Sequence, residues 1–286
     1  MKVALVLPTD RVDLADEFVT ADAIAQMASA AERAGFGAVS VTEHPIPARE
    51  WLESGGHHAL DPFVALAFAA AGTSSLQLQT HLCVLPYRNP FVTAKAAASL
   101  DRLSGGRLLL GVGAGYLQDE FAALGVDFAQ RNELTDDAIR TMRAAWTGEY
   151  VTLDGRGYRA EDNRALPRPA QPGGPPIWVG GNSRRAIRRA VELGDGWLPM
   201  ANTAQTVARR RTAALETVDD LARAVESARE HAASIGRTTP LTVAAPLSGL
   251  RTETAATAEA DRQVEMAEQL ARAGATYLYL TLPHEL

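Results

Sequence analysis

Short aliphatic and β-branched runs alternate with longer, alanine-rich amphipathic runs along most of this 286-residue chain. That alternation is typical of a parallel sheet whose strands are joined by crossover helices. It predicts eight strands, at Val3–Pro8, Ala38–Thr42, Leu76–Leu85, Leu108–Gly113, Ile177–Gly180, Gly196–Met200, Leu241–Leu247 and Thr276–Leu282. It predicts helices at Thr20–Ala34, Pro62–Gly72, Phe91–Leu103, Arg131–Trp146, Ser183–Leu193, Thr203–Ile235 (in two pieces) and Glu259–Ala273.

Eight strands in this order favour a closed (β/α)8 TIM barrel, and the chain length is ordinary for one such domain over residues 1–286. A doubly wound open sheet with extra units is the alternative fold. Several predicted helices end at a glycine shortly before the next strand, which is typical of a left-handed C-cap. These glycines are Gly35, Gly194, Gly236 and Gly274.

Composition and charge argue against several classes of function. The formal net charge is −6 and there is no lysine or arginine block, so the sequence offers no electrostatic basis for binding nucleic acid. No apolar run approaches the roughly 20 residues of a membrane span. Met1–Pro8 lacks the features of a signal peptide, so we expect a cytoplasmic protein. Cys83 is the only cysteine, which excludes an intramolecular disulfide. No metal-site or serine-hydrolase motif is present.

Three segments depart from the strand–helix alternation. Arg49–Leu60 is a polar loop after the second strand, and Glu149–Pro176 is an insertion before the fifth strand with a hairpin predicted across Tyr150–Tyr158. Such insertions usually lie at the active-site end of a barrel. After the eighth strand only Pro283–Leu286 remain, so we expect no full closing helix. The apolar flank left exposed there could be covered by a second subunit, which suggests a homodimer.

The second predicted strand is followed by the strongest catalytic candidate. The ends of barrel strands form the reaction site, and Thr42-Glu43-His44-Pro45 lies at such an end. Histidine titrates near neutral pH and can donate or accept a proton, so His44 is a candidate for proton transfer. The alternative is a histidine that only hydrogen-bonds the rim of the barrel. Glu43 should point to the opposite face and have a structural role.

The third predicted strand is long for a barrel strand and runs into a proline-rich turn, which suggests a bulge. His81 and Cys83 share one face of it. The neighbours of Cys83 are apolar and no partner is evident, so a buried, unreactive thiol is favoured over a nucleophile.

Two glycine-rich turns follow the fourth and fifth strands. Gly111–Tyr116 has the spacing G-x-G-x-G, which fails the dinucleotide fingerprint but lets a flat ring or a phosphate approach the backbone. The alternative is a simple tight turn. The second turn combines close backbone approach with a helix start, so it is a candidate phosphate site or an ordinary capped helix. Its residues are Gly180, Gly181, Asn182 and Ser183.

Several segments, in order, resemble the bacterial luciferase-like flavin family, and more narrowly its branch of oxidoreductases that depend on the deazaflavin coenzyme F-420. The resemblance covers roughly residues 18–200. Its matching stretches are Ala31–Phe36, Val41–His44, Val84–Pro90, Leu100–Arg107, Gly111–Tyr116, Pro176–Asn182 and Gly194–Trp197. Each stretch is weak alone, and the ordered set is specific.

The resemblance implies a hydride-transfer oxidoreductase that uses F-420 on a small organic substrate. It implies that His44 assists proton transfer beside the cofactor ring and that Tyr116 contributes to catalysis. It implies a non-prolyl cis peptide around His81-Leu82 that supports one face of the ring. The implied cofactor contacts are Thr42, Thr80, His81, Leu82, Gly113 and Gly115 for the ring, and Gly180, Gly181, Asn182 and Ser183 for a phosphate. Trp51, His57 and His58 would line the substrate mouth as a lid.

Two positions depart from the family pattern. Many relatives have glycine where His81 stands, and some deazaflavin dehydrogenases have glutamate at the position of Tyr116, whose hydroxyl has an ordinary pKa near 10. One alternative function is an FMN-dependent monooxygenase that receives reduced flavin from a separate reductase. The other is a non-catalytic flavin-binding homologue.

Overall fold

The computed structural model describes residues 1–251 and 259–281. Within them the strands are β1 Lys2–Val6, β2 Ala38–Val41, β3 Gln77–Val84, β4 Leu108–Gly113, β5 Tyr150–Gly155, β6 Tyr158–Arg164, β7 Ile177–Gly180, β8 Gly196–Leu198, β9 Thr242–Pro246 and β10 Tyr277–Thr281. The α-helices are α1 Ala15–Phe18, α2 Ala21–Arg33, α3 Arg49–Glu53, α4 Pro62–Ala71, α5 Pro90–Leu103, α6 Gln118–Ala123, α7 Arg131–Trp146, α8 Arg184–Leu193, α9 Val207–Arg210, α10 Val218–Ser234 and α11 Glu259–Arg272. None of these helices is both long and apolar enough to cross a membrane.

The parallel strands follow the order β1-β10-β9-β8-β7-β4-β3-β2, which is that of a closed eight-stranded barrel. The predicted (β/α)8 TIM-barrel fold is therefore confirmed, and the doubly wound alternative is wrong. Every predicted barrel strand is present, with its ends within about two residues of the predicted ones. The expected absence of a closing helix concerned residues 283–286, which lie outside the described part of the chain.

The chain forms two compact units, one of Leu7–Pro176 and the other of Met1–Val6 with Ile177–Leu286. The expectation of a single domain over residues 1–286 stays a prediction. Each unit contributes a run of parallel strands with helices that cover them.

In the Leu7–Pro176 unit, β3 pairs with β2 on one side and with β4 on the other. Helix α4 begins at Pro62 because Asp61 accepts the backbone N–H groups of Phe63 and Val64, a standard N-cap. The loop predicted at Arg49–Leu60 differs from the structure, since its first residues form the short helix α3. Helix α6 was not predicted, because six residues are too few to show a helical period.

The predicted insertion before the fifth barrel strand is present as the antiparallel hairpin β5–β6, which extends to Arg164 rather than ending at Tyr158. Tyr158 of this hairpin contacts two of the helices that cover the sheet. The Tyr158 hydroxyl hydrogen-bonds the hydroxyl of Thr141 on α7, and its ring packs edge-on against Phe91 on α5. The hairpin therefore acts as a brace for α5 and α7.

In the other unit the strand order is β1-β10-β9-β8-β7. The helix predicted in two pieces over Thr203–Ile235 is found as α9 and α10, and α10 starts with a capping box between Thr217 and Asp220. Helix α8 ends at Gly194 as predicted, but the predicted left-handed conformation is wrong, since its φ is −102°. A side chain there would instead meet the Ala190 carbonyl oxygen at 3.0 Å, so glycine is required for close packing.

Candidate active site

His44 lies three residues beyond the end of β2 and is surrounded by aromatic rings. Its ring centroid is 4.4 Å from that of Trp51, 4.8 Å from that of His57 and 6.4 Å from that of Tyr116. The rings of Trp51 and His57 are 5.5 Å apart. The structure thus brings together four residues that the sequence predicted for the site, with Trp51, His57 and Tyr116 around the imidazole of His44.

The loop after β2 folds back over this cluster because of one glycine. A Cβ at Gly56 would lie 2.3 Å from the Trp51 indole, so only glycine lets the loop close on that ring. His57 follows at once, and its Nδ1 donates to the His58 carbonyl oxygen at 2.9 Å, since a carbonyl can only accept. His58 itself is exposed and joins the cluster only through this carbonyl.

Glu120 is a residue of this site that sequence reasoning missed. Only 1% of it is exposed, although it lies in the first turn of α6. Its Oε2 accepts from the Tyr87 hydroxyl at 2.8 Å and lies 3.4 Å from Nδ1 of His44. Its Oε1 accepts the backbone N–H of Ile46 at 3.3 Å. Its partners lie 33 to 76 residues away along the chain, so no local sequence pattern indicated it.

Glu43 and Arg88 form a buried ion pair beside the cluster. Glu43 accepts the backbone N–H of Val84 at 2.6 Å and a short hydrogen bond from Arg88, whose guanidinium also donates to Asp61 at 2.9 Å. Burial raises the pKa of the Glu43 carboxyl, and the charge of Arg88 opposes that rise. Glu43 therefore has a structural role, as its expected orientation suggested.

Cys83 is a buried free thiol, and burial raises its pKa well above the ordinary value. A thiol in that state is a poor nucleophile, which agrees with the expectation of an unreactive cysteine. Among the residues the structure describes, no group of three or more His, Cys, Asp or Glu side chains could hold a metal ion.

The expected irregularity in β3 is present. The register against β4 shifts between Thr80 and Cys83, and the peptide bond between His81 and Leu82 is cis. Burial lowers the pKa of His81 to about 4, so its ring is neutral at physiological pH. Thr80 is fully buried and its hydroxyl donates to the Gly111 carbonyl at 2.7 Å. Its side chain therefore ties β3 to β4, and its contact with a cofactor stays a prediction.

Gly113 and Gly115 make room for neighbouring side chains. A Cβ at Gly113 would lie 2.5 Å from a methyl carbon of Leu82. At Gly115, where φ is +75°, it would lie 2.7 Å from Val84 and 2.8 Å from Phe121. Both glycines therefore have a packing reason in the protein itself, and any contact with a cofactor would be through their backbone atoms.

One face of the β2–β3 pair carries buried polar atoms that no other described residue satisfies. They are the Thr42 and Ser40 hydroxyls and both ends of the Gln79 amide. Ser40 and Gln79 are register partners, and Thr42 follows two residues later on the same face. Because buried polar groups nearly always have hydrogen-bond partners, this face suits a polar ligand or ordered water.

In the other unit, the turn between β7 and α8 is held largely by its own residues. The Gly181 N–H donates to the Leu198 carbonyl and the Asn182 N–H to the Thr212 hydroxyl. The Asn182 amide bonds Met200 through both its oxygen and its nitrogen. Ser183 caps α8 by accepting the N–H of Ala186 at 3.1 Å. The Asn182 side chain thus holds the turn, and a phosphate contact at this turn stays a prediction.

A protein-family model for luciferase-like monooxygenases matches residues 1–280 of the chain. The chain belongs to this family. The resemblance to the luciferase-like flavin family is therefore confirmed.

Two curated relatives are named as enzymes that depend on F420. The F420-dependent glucose-6-phosphate dehydrogenase of Beutenbergia cavernae is 37% identical over 64% of this chain and 54% of its own length. The F420-dependent hydroxymycolic acid dehydrogenase of Mycobacterium tuberculosis is 33% identical over 66% of this chain and 51% of its own length. The chain thus matches little more than half the length of these relatives.

Among solved structures, a long-chain alkane monooxygenase superposes with a TM-score of 0.79 at 12% identity. The superposition covers 99% of this chain and 86% of that one. At so low an identity the likeness concerns the fold alone, and it agrees with the barrel order of the strands.

Proposed function

We propose that the protein is an F-420-dependent oxidoreductase that passes hydride between the deazaflavin and a small organic substrate. The observation that carries the proposal is the cluster of His44, Trp51, His57 and Tyr116 at the end of β2. It joins a proton-transfer group to an aromatic wall beside the irregular segment of β3. The two named relatives, which depend on F420, support the choice of cofactor.

The residues near the cluster suit the ring of such a cofactor. Thr42 and the Gln79 amide offer a hydroxyl and an amide that no other described residue satisfies, which fits the polar edge of a deazaflavin. The backbone at His81, Leu82, Gly113 and Gly115 would form the wall against the ring. The Thr80 hydroxyl donates to Gly111, so it would contact the ring only as an acceptor.

F-420, when bound, would supply hydride transfer at its ring, and the protein would supply position and proton transfer. His44 would take a proton from a substrate that gives up hydride, or give a proton to a substrate that receives hydride. Tyr116 faces His44 edge-on and would donate a hydrogen bond to the substrate. Trp51 and His57 would cover the reacting groups and exclude water.

The start of α8 is the proposed place for a phosphate of the cofactor. Backbone N–H groups in the first helical turn and the helix dipole favour an anion. Ser183 fixes the start of the helix, and Gly180 and Gly181 precede it without side chains. Asn182 would act indirectly, by holding the turn through its bonds to Met200.

An FMN-dependent monooxygenase is the second candidate, because the family is described by that activity and the chain shares the fold of an alkane monooxygenase. That function would need a separate reductase to supply reduced flavin. An equilibrium titration with F-420 and with FMN, followed by measurement of oxygen consumption, separates the two. Saturable F-420 binding without oxygen uptake supports our proposal, and FMN binding with oxygen uptake supports the alternative.

Exchange of His44 tests the role of that residue. Loss of a general acid–base group typically lowers turnover by about 10²–10⁴-fold, so we expect such a loss in His44→Ala. His231→Ala is the matched control, since His231 pairs with Glu192 and lies outside the cluster. Full turnover by His44→Ala would remove His44 from the mechanism.

We also propose that the protein is a homodimer, with α4 at the interface. This helix is apolar on every side, although helices of that kind are normally buried. Val64 is 57% exposed and Phe68, one turn later, is 45% exposed. Light scattering with size exclusion should show a dimer for the protein and a monomer for Phe68→Glu, and a monomeric parent protein would refute the proposal.

A further inference from the structure

The carboxylate of Glu120 is bonded on both oxygens by three groups from two different segments. Oε1 accepts the Ile46 backbone N–H from the loop after β2. Oε2 accepts the Tyr87 hydroxyl from the turn after β3 and lies 3.4 Å from Nδ1 of His44. With only 1% of Glu120 exposed, these neighbours replace water as its partners.

The chemistry of these partners determines where the proton of His44 resides. A backbone N–H can only donate, and an ionised carboxylate can only accept. Burial and the adjacent Glu120 raise the pKa of Tyr87, so its hydroxyl keeps its proton and donates as well. The remaining contact of Oε2 can be a hydrogen bond only if Nδ1 of His44 also donates. Nε2 of a neutral His44 then carries the lone pair.

We propose that Glu120 is a positioning residue that holds His44 in the Nδ1–H tautomer and so makes Nε2 the proton-accepting atom. The inference rests on the proposed function only in assigning His44 to proton transfer. Both oxygens of Glu120 are engaged by His44, Ile46 and Tyr87, so it acts through the imidazole. The arrangement has the logic of a carboxylate that orients a catalytic histidine.

The packing around His44 keeps its ring in this orientation. Trp51 lies against the ring at a tilt of 39°, and His57 meets it edge-on at 85°. The ring is 11% exposed, so rotation that would exchange its two nitrogens requires Trp51 or His57 to move. Packing fixes the plane of the ring, and Glu120 decides which nitrogen carries the proton.

Replacement of Glu120 by glutamine should reverse the tautomer. The glutamine oxygen can accept the Ile46 N–H, which places the amide NH₂ toward Nδ1 of His44. That NH₂ can only donate, so Nδ1 becomes an acceptor and the proton moves to Nε2. Tyr87→Phe is the matched control, because it removes another donor from the same carboxylate and leaves Glu120 able to accept from His44.

The test uses the full chain labelled with ¹⁵N at histidine, without cofactor or substrate, at mildly alkaline pH. Long-range ¹H–¹⁵N spectra distinguish the two tautomers, and His44→Gln assigns the signal. We expect Nδ1–H for the parent protein and for Tyr87→Phe, and Nε2–H for Glu120→Gln. A proton on Nε2 in the parent protein would overturn the inference, even if Glu120→Gln fails to fold.

Kinetics give a second readout that a purely structural role would not produce. Loss of the correct tautomer should lower kcat of Glu120→Gln by about 10²–10⁴-fold and change KM by only a few-fold. An unchanged tautomer and kcat in a folded Glu120→Gln would overturn the inference. The spectra require no turnover, so a protein that has the expected tautomers but does not use F-420 would contradict the proposed function alone.

Discussion

Glu43, which precedes His44 in the chain, forms a buried ion pair with Arg88. Removal of Arg88 should lower the free energy of unfolding by an amount that can be calculated. Arg88→Met keeps the side-chain length but leaves the Glu43 carboxylate, 3% exposed, without its counter-ion. Removing one partner of a buried pair typically costs about 3–5 kcal/mol. Because 24% of the Arg88 side chain is exposed and water screens part of its charge, we expect about 2–3 kcal/mol at neutral pH.

The pH dependence of this loss follows from the direction of the Glu43 shift. Burial raises the pKa of Glu43 in the folded state, and Arg88 opposes the rise, so in Arg88→Met the folded pKa rises further. A carboxyl whose folded pKa lies above its unfolded pKa costs stability as the pH rises through the folded value. The variant should therefore recover stability as the pH falls from neutral toward the unfolded pKa of Glu43, about 4.3.

Urea unfolding across that pH range measures the effect, with Glu43→Gln/Arg88→Met as the control. Glutamine at position 43 can still accept the Val84 N–H but carries no charge, so the double variant should regain most of the lost stability. If Arg88→Met lies within about 0.5 kcal/mol of the parent protein at every pH, the pair behaves as a surface salt bridge and our reasoning fails.

Three further outcomes are expected. In urea unfolding, Gly115→Ala should lower the free energy of unfolding by about 1–3 kcal/mol more than Gly125→Ala does. Both glycines have positive φ, but only Gly115 has neighbours where a Cβ would lie. Equal losses would contradict the packing argument. Asn182→Ala should lose about 2–4 kcal/mol, because Met200 and Ala213 lose buried partners, and a loss below about 1 kcal/mol would contradict it. In an NMR titration, His81 should stay neutral down to about pH 4. As the pH falls from the unfolded pKa of 6.5 to about 4, the protein should lose about 3 kcal/mol of stability. A titration midpoint near 6.5 would show that the ring is solvated.

The barrel could be predicted from the sequence because the spacing of apolar residues that marks a strand or a helix is visible within a short stretch of chain. Val3–Pro8 and Leu108–Gly113 show their short aliphatic runs directly, and the structure has strands at both places. Short elements gave no such signal: α3 and α6 are too short to complete two helical turns. The sequence also could not show why position 194 needs glycine, because the reason is the nearby carbonyl oxygen of Ala190 and not a left-handed φ.

The candidate site could be predicted only in part, for a similar reason. His44 and Tyr116 follow strand ends, so the barrel rule indicated them, and the structure brings them within 6.4 Å of each other. Glu120 could not be found, since its partners lie 33 to 76 residues away along the chain. The hydrogen bond from Thr80 to Gly111 was also beyond the sequence, because it depends on the pairing of β3 with β4.

The most direct test of the proposed function is an equilibrium fluorescence titration of the purified full chain with F-420 and, separately, with FMN. We predict saturable binding of F-420 with a Kd at least about tenfold lower than that for FMN, a difference of about 1.4 kcal/mol. It also predicts that Gly113→Val, which forces Leu82 aside and reshapes the wall beside the ring, weakens F-420 binding. Saturable FMN binding together with no detectable binding of F-420 would contradict the central claim.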